Sequence, residues 1–182
     1  MDNRPDPLTA FKVARRWFKA GERIEMQELA AEIGVSRATL FRWVGSRDAL
    51  LTEVLWSLAQ PTLRDVVAAT PGEGGAKVAA ALGRFAEVLH EAEYFRSFLR
   101  REPERALRVL TTRAGSLQGR MTAAMQELLE RHMDPGALPM EKPDLAYLLV
   151  RVVETFLYTD IITGEEPDPA KVHQAVSALL RA

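Results

Sequence analysis

The sequence predicts an all-α protein in two parts: a helix-turn-helix unit over residues 1–50 and a larger helical unit over 51–182. Three observations carry that prediction. Apolar residues recur at three- and four-residue steps through most of the chain, the period of a helix packed along one side. No stretch alternates apolar and polar residues with the β-branched density of a strand. Clusters of turn-forming residues, such as Thr70-Pro-Gly-Glu-Gly-Gly and Asp134-Pro-Gly, separate the periodic runs.

The first helix is expected from about Pro7 to Ala20, with Leu8, Phe11, Ala14 and Phe18 on one side and Gly21 at its end. Pro7 suits a first-turn position, where its missing N–H costs nothing. A second helix spans roughly 26–33, and Met26, Leu29, Ala30 and Ile33 fall on one face of it. Gly34 stands where that helix must stop and the backbone must turn, which favours a residue tolerating positive φ. Small Ala30 permits close approach of the next helix, and Val35 plugs the gap between the two. Ser36 is a good N-cap for a third helix over 36–44.

The fourth helix starts at Ser46, with Asp48 near the positive end of its dipole. Pro61 either kinks this helix or opens a separate segment over 61–69, because its ring cannot donate the backbone bond. The glycines after Thr70 form a connecting loop. No strand precedes them and no Gly-Lys-Ser/Thr follows, so they are not a phosphate loop. Further helices are expected at about 75–91, 103–112, 116–132, 143–163 and 169–181.

A short helix behind a tight turn is a standard way to enter the major groove of DNA. The third helix offers Arg37, Thr39, Arg42 and Trp43 for that purpose. A tight helix pair inside any all-α protein is the plainer reading of the same spacing. The whole run LAAEIGVSRATLFRWVGSRDALL resembles the DNA-binding segment of TetR-type transcriptional regulators. There an Ile/Leu-Ala…Gly-Val-Ser…Thr-Leu-aromatic run leads to a short loop and a basic residue. The resemblance covers roughly residues 8–58.

It implies a homodimer on double-stranded, palindromic operator DNA, most simply as a repressor. Ser36 belongs to the implied DNA-binding set, in which Arg37, Thr39 and Arg42 meet bases or phosphates and Trp43 meets phosphate or sugar. Arg47 falls where the family usually has Lys at the start of the fourth helix. Three departures stand out. Phe41 replaces the usual Tyr, losing a hydroxyl while a core-facing ring is expected to remain. Ile24-Glu25 stands where Thr or Ser normally caps the second helix. Val44 replaces a larger aromatic, so Phe18 or Trp17 must supply the packing against the first helix.

Charge gives DNA binding little help in bulk. The chain carries 24 Lys/Arg and 25 Asp/Glu, for a net charge of −1, so binding rests on local placement. Lys12, Arg15, Arg16 and Lys19 on the first helix join Arg37, Arg42 and Arg47 as the candidate cations. With no Cys there is no disulfide framework and no cysteine nucleophile. A reducing, cytoplasmic setting fits. The opening MDNRPDPL has no basic region followed by an apolar run, so no secretory signal is expected.

The segment Asp144–Ile162 is apolar apart from one stripe. Tyr147, Arg151, Glu154 and Tyr158 are 4, 3 and 4 residues apart and share one helical face. The two charges argue against a membrane span. The stripe faces water, a partner or a cavity, and an Arg151–Glu154 pair on a solvated edge is the plainer reading. If it faces a cavity, Tyr94, Phe95 and Phe98 are candidates for the opposite wall, with Met121 and Met125 as adaptable filler. Dimerisation is expected through Leu145, Leu149, Val152, Val153 and Phe156 together with Val172, Val176 and Leu179/Leu180.

Catalysis has no support. His90, His132 and His173 are scattered without metal-ligand spacing, Glu87–Glu91 reads as a solvated pair, and no nucleophile or nucleotide fingerprint occurs. No cofactor, metal or membrane partner is expected. A helical protein-docking module without DNA binding is the alternative class. The later part of the chain also resembles the sensor domain of TetR-type regulators, which implies a small-molecule effector and a four-helix dimer interface. Overall the chain resembles the QsdR-type regulators of quorum-lactone degradation, whose implied effectors are lactones.

Overall fold

All regular structure among the described residues, 5–112 and 116–181 of the computed structural model, is helical. In chain order the helices are α1 (Pro7–Lys19), α2 (Met26–Glu32), α3 (Arg37–Val44), α4 (Arg47–Ala69), α5 (Gly74–Glu91) and α6 (Glu93–Arg101). They continue as α7 (Pro103–Thr111), α8 (Leu117–His132), α9 (Lys142–Leu157), α10 (Thr159–Ile162) and α11 (Ala170–Leu180), with a 3₁₀ turn at Pro135–Ala137. No helix among the described residues is long and apolar enough to cross a membrane.

Three elements differ from expectation. Residues 93–101 form a short helix of their own, α6, which buries Phe95, Phe98 and Leu99 and keeps Arg96, Arg100 and Arg101 off that face. Pro61 lies within a continuous α4; its ring removes only the bond to the Ser57 carbonyl, and the rest of the helix is kept. The helix expected over 143–163 breaks at Tyr158, where φ is −113° and ψ is 17°, and resumes as the single turn α10.

The chain divides into two compact units. One comprises the chain up to Leu58 together with Glu93–Leu117; the other comprises Ala59–Ala92 and the chain from Gln118 on. The division therefore falls inside α4 and not at residue 50, and α6 and α7 join the N-terminal helices.

In the first unit, α1 buries Ala10, Ala14 and Phe18, and α2 buries Met26, Leu29 and Ala30. Leu40 of α3 and Leu50, Leu51, Val54 and Leu55 of α4 complete this core. Asp6 caps α1 through the Thr9 backbone N–H, at 2.7 Å. The Phe18 ring meets Tyr94 and Phe98 of α6 at centroid distances of 5.8 and 5.5 Å. Phe18 thus packs α1 on α6.

In the second unit α11 lies along α5, and both pack on α9. Leu145, Leu149, Val153, Val172, Val176 and Leu180 are each at most 6 % exposed within this single chain. They are core, which corrects their expected place in a dimer interface: α5 already covers the apolar stripe of α11. Gly83 explains how closely the two helices approach, since a Cβ there would stand 2.8 Å from the His173 Cβ. That atom is fixed to the backbone and cannot rotate away. Gly83→Ala should therefore destabilise the unit by ~1–3 kcal/mol through overpacking, outweighing the ~1 kcal/mol that Ala contributes in helix propensity. A urea midpoint equal to or above wild type would show that α11 has room to move.

Candidate nucleic-acid interface and effector site

The turn before α3 is built as its residues demand. Gly34 has φ of +72° with nothing within 4 Å of a would-be Cβ, so the requirement is purely conformational. Its N–H donates to Ala31 O at 3.2 Å, and that of Val35 to Ala30 O at 2.9 Å, closing α2. Ser36 Oγ accepts the Thr39 backbone N–H at 3.1 Å and lies 2.9 Å from the Thr39 hydroxyl. Ser36 and Thr39 thus set the start of α3. α2 has no side-chain cap: Glu25 at that position pairs with Arg23 at 2.6 Å instead.

α3 presents Arg37, Phe41 and Arg42 to the outside, with Trp43 half-buried. Phe41 is 38 % exposed, which corrects the expectation of a core-facing ring; Leu40, fully buried, fills that role. The Arg37 guanidinium lies over the Phe41 ring, 5.3 Å from its centroid. Of the seven candidate cations, three are engaged inside the unit. Arg15 donates to Ser57 Oγ at 3.1 Å, Arg16 pairs with Glu32 of α2, and Arg47 forms a fork with Glu102. Lys12, Lys19, Arg37 and Arg42 are exposed, as is Arg16 despite its pair with Glu32.

Arg47 is the clearest correction. Both its terminal nitrogens donate to the Glu102 carboxylate at 2.7 Å, and its Nε donates to the Ile24 carbonyl. Only 10 % of its side chain is exposed, against 11 % for Glu102. A guanidinium held in this way positions α4 against the segment before α2. Arg105 reaches the same carboxylate at 3.2 Å and also pairs with Asp48, which Arg108 meets at 2.9 Å. Sequence reasoning missed this network, because no local pattern links residues 55 to 60 positions apart.

The expected effector set is divided. Tyr94, Phe95 and Phe98 belong to α6 in the first unit, where Phe18 occupies the faces of Tyr94 and Phe98. The other residues belong to the second unit, and there the stripe on α9 splits. Tyr147 is 53 % exposed, whereas Glu154 and Tyr158 are 7 % and 5 % exposed. Met125 is fully buried and Met121 half-buried. Arg151, half-exposed, donates to Glu154 Oε2 at 2.6 Å. Burial pushes the Glu154 carboxyl up to about 7, against the opposing pull of Arg151. Burial, reinforced by Glu154, also raises the Tyr158 phenol. A buried acid and a buried phenol thus lie near a half-exposed arginine, a set able to donate and accept hydrogen bonds. On the same unit a surface groove of about 430 Å³ lies between the end of α8 and the start of α9, lined by Leu129, Met133, Leu138 and Met140 together with Glu130, Glu141 and Lys142.

A helix-turn-helix whose second helix carries exposed arginines, joined to an all-helical second unit, defines a transcriptional regulator of the one-chain sensor type. The chain belongs to the TetR family: residues 73–181 match the family model described as tetracyclin repressor-like, C-terminal domain. It is similar to the transcriptional repressor QsdR of R. erythropolis, from the TetR family, with a TM-score of 0.87 and 28 % identity, covering 97 % of this chain and 94 % of that one. The TetR-family repressor AlkX from Dietzia sp. strain DQ12-45-1b, implicated in biodegradation of n-alkanes, shares the fold with a TM-score of 0.61. Its identity is 21 %, over 97 % of this chain and 94 % of that one. No curated protein matches.

Proposed function

We propose that a homodimer of this chain represses transcription by holding an imperfect palindrome in DNA, and releases it when a small, largely apolar effector binds the second unit. The exposed surface of α3 carries this reading. Arg37 and Arg42 are exposed on the helix behind the Gly34 turn, in a unit that also contains α6 and α7. Two such helices would enter successive major grooves about 34–36 Å apart. Affinity then falls steeply with salt, because cations displaced from phosphates are released on binding.

The face of α9 left uncovered within the chain supplies the dimer contact. Tyr147, Leu148, Val152 and Phe156 lie along it, all at least partly exposed. An apolar strip of that kind favours a second copy over water, and a two-fold axis matches a palindrome. Effector binding is assigned to Arg151, Glu154 and Tyr158, whose polar atoms would orient the oxygens of a ligand whose apolar body is buried. A lactone is the effector class implied by the resemblance, and burial contributes ~25 cal/mol per Å² before ordering costs. α4, unbroken from one unit into the other, is the covalent route for the coupling, which for such linkage is about 1–3 kcal/mol.

One footprinting and sedimentation experiment tests the reading. Wild type should protect a palindrome as a dimer, and a small lactone should remove the protection. Arg37→Ala/Arg42→Ala should remain dimeric and lose roughly 2 kcal/mol or more of affinity, each base contact being worth ~1–3 kcal/mol. Val152→Glu/Phe156→Glu should be monomeric and leave no footprint. A footprint unchanged in the arginine variant sinks α3 as the DNA reader. An unchanged dimer in the glutamate variant sinks the α9 interface.

A further inference from the structure

Phe41 has no place in the reading so far, and its position is costly. A phenyl ring 38 % exposed on an eight-residue helix leaves apolar surface in water, although Leu40 beside it is fully buried. The ring has no donor or acceptor, so it cannot hold a phosphate or a polar base edge. It lies one turn after Arg37 on the same face, with the Arg37 guanidinium 5.3 Å from the ring centroid. Stacking of this kind restricts a long, otherwise flexible cation while leaving its edge N–H groups free to donate. The N-terminal residues of a recognition helix meet base edges, and Arg37 opens α3 with Phe41 one turn further on. In the major groove one exposed apolar group distinguishes the bases, the C5-methyl of thymine, and the strongest partner for an arginine fork is guanine O6/N7.

We propose that Arg37 and Phe41 act as one specificity element. Phe41 packs on a thymine methyl while Arg37, braced by its ring, takes a guanine close by. The 5.3 Å between guanidinium and ring spans between one and two base steps of ~3.4 Å, so the thymine and guanine lie within two steps of each other. This deepens the assignment of α3 as the DNA reader and rests on it. It makes Phe41 a determinant of which operator is chosen, where the hydroxyl of a tyrosine would have offered a sequence-blind contact to the backbone.

The test uses the full chain and operators selected by it from random-sequence duplexes. Each thymine of the selected half-site is replaced in turn by deoxyuridine, which removes only the methyl. Wild type should lose about fourfold in affinity at one thymine per half-site, the equivalent of one buried methyl at ~0.8 kcal/mol, and show no loss at the others. That thymine should lie within two steps of a guanine whose 7-deaza analogue also weakens binding. In Phe41→Ala the thymine and deoxyuridine duplexes should bind equally, and Phe41→Leu should keep part of the discrimination. Deoxyuridine that is neutral everywhere for wild type overturns the proposal with no variant needed. A methyl effect that survives in Phe41→Ala also overturns it, since another group would then read that position. Failure of wild type to enrich any sequence overturns α3 as the reader itself, a different outcome from a selected operator that is indifferent to the methyl.

Discussion

Glu102→Ala should lower the stability of the first unit by ~3–5 kcal/mol, because it leaves a nearly buried guanidinium with only the Ile24 carbonyl as partner. Arg47 and Glu102 are exposed by only 10 % and 11 %, and their fork is bidentate at 2.7 Å on both arms. In such a pair the desolvation cost has already been met by two parallel charge-assisted bonds. Removing one partner leaves that cost standing. Arg105 and Arg23, also on the Glu102 carboxylate at 3.2 and 3.5 Å, would keep only Asp48 and Glu25 as their acidic partners. For a chain of this length ~2–4 °C of melting temperature accompany each kcal/mol, so a fall of roughly 10 °C is expected. Arg47→Met/Glu102→Met should recover much of the loss, since an apolar pair of similar bulk needs no charge partner. Thermal and urea unfolding of the three proteins checks this. A Glu102→Ala protein within 1 kcal/mol of wild type would place the fork among ordinary surface ion pairs, which contribute about 0–1 kcal/mol.

The second large effect is a pH dependence residing in Glu154. Its folded-state pKa, about 7, lies above the ordinary 4.5 because burial disfavours the charge more than the half-exposed Arg151 favours it. The folded protein therefore binds this proton more tightly than the unfolded chain does. Below the unfolded value both states are protonated and nothing is lost. As pH rises from about 4.5 through 7 the unfolded chain releases the proton first, and stability falls. At ~1.4 kcal/mol per unit the full penalty is about 3 kcal/mol at most, reached above neutrality. Glu154→Gln should melt higher than wild type at pH 8 and close to it at pH 5. Other carboxyl groups titrate in both proteins, so the difference between the two curves isolates Glu154. Parallel curves would show that Arg151 keeps the carboxylate charged throughout.

Local chemistry made the DNA-reading half legible. The 26–50 stretch states its own structure because each demand is met within a few residues: an apolar face on α2, positive φ at Gly34, a hydroxyl cap at Ser36 and a charge suited to the helix start at Asp48. Most helix boundaries came out close to the turn residues for the same reason. α6 escaped because it is short and no proline or glycine marks the single residue, Ala92, that separates it from α5. The single helix expected over 143–163 divides at Tyr158, where no proline or glycine marks the break.

The candidate sites were less legible, and the reason is the range of the interactions. Arg47 looks like any basic residue near a DNA-binding helix until Glu102, 55 positions away, closes on it. Phe41 looks like core until the structure places Leu40 inside and the phenyl ring outside beneath Arg37. The apolar stripe of α11 looks like an interface until α5 covers it, with Gly83 against His173. By itself the sequence determined the helical class, the turn geometry and the family, since periodicity, glycine conformation and capping depend on neighbours three or four residues apart. Only the tertiary structure decided which arginines are engaged within the chain, which apolar face of α9 stays exposed and which acid is buried. Those outcomes depend on burial and on partners brought together across the chain, which spacing along the sequence does not encode.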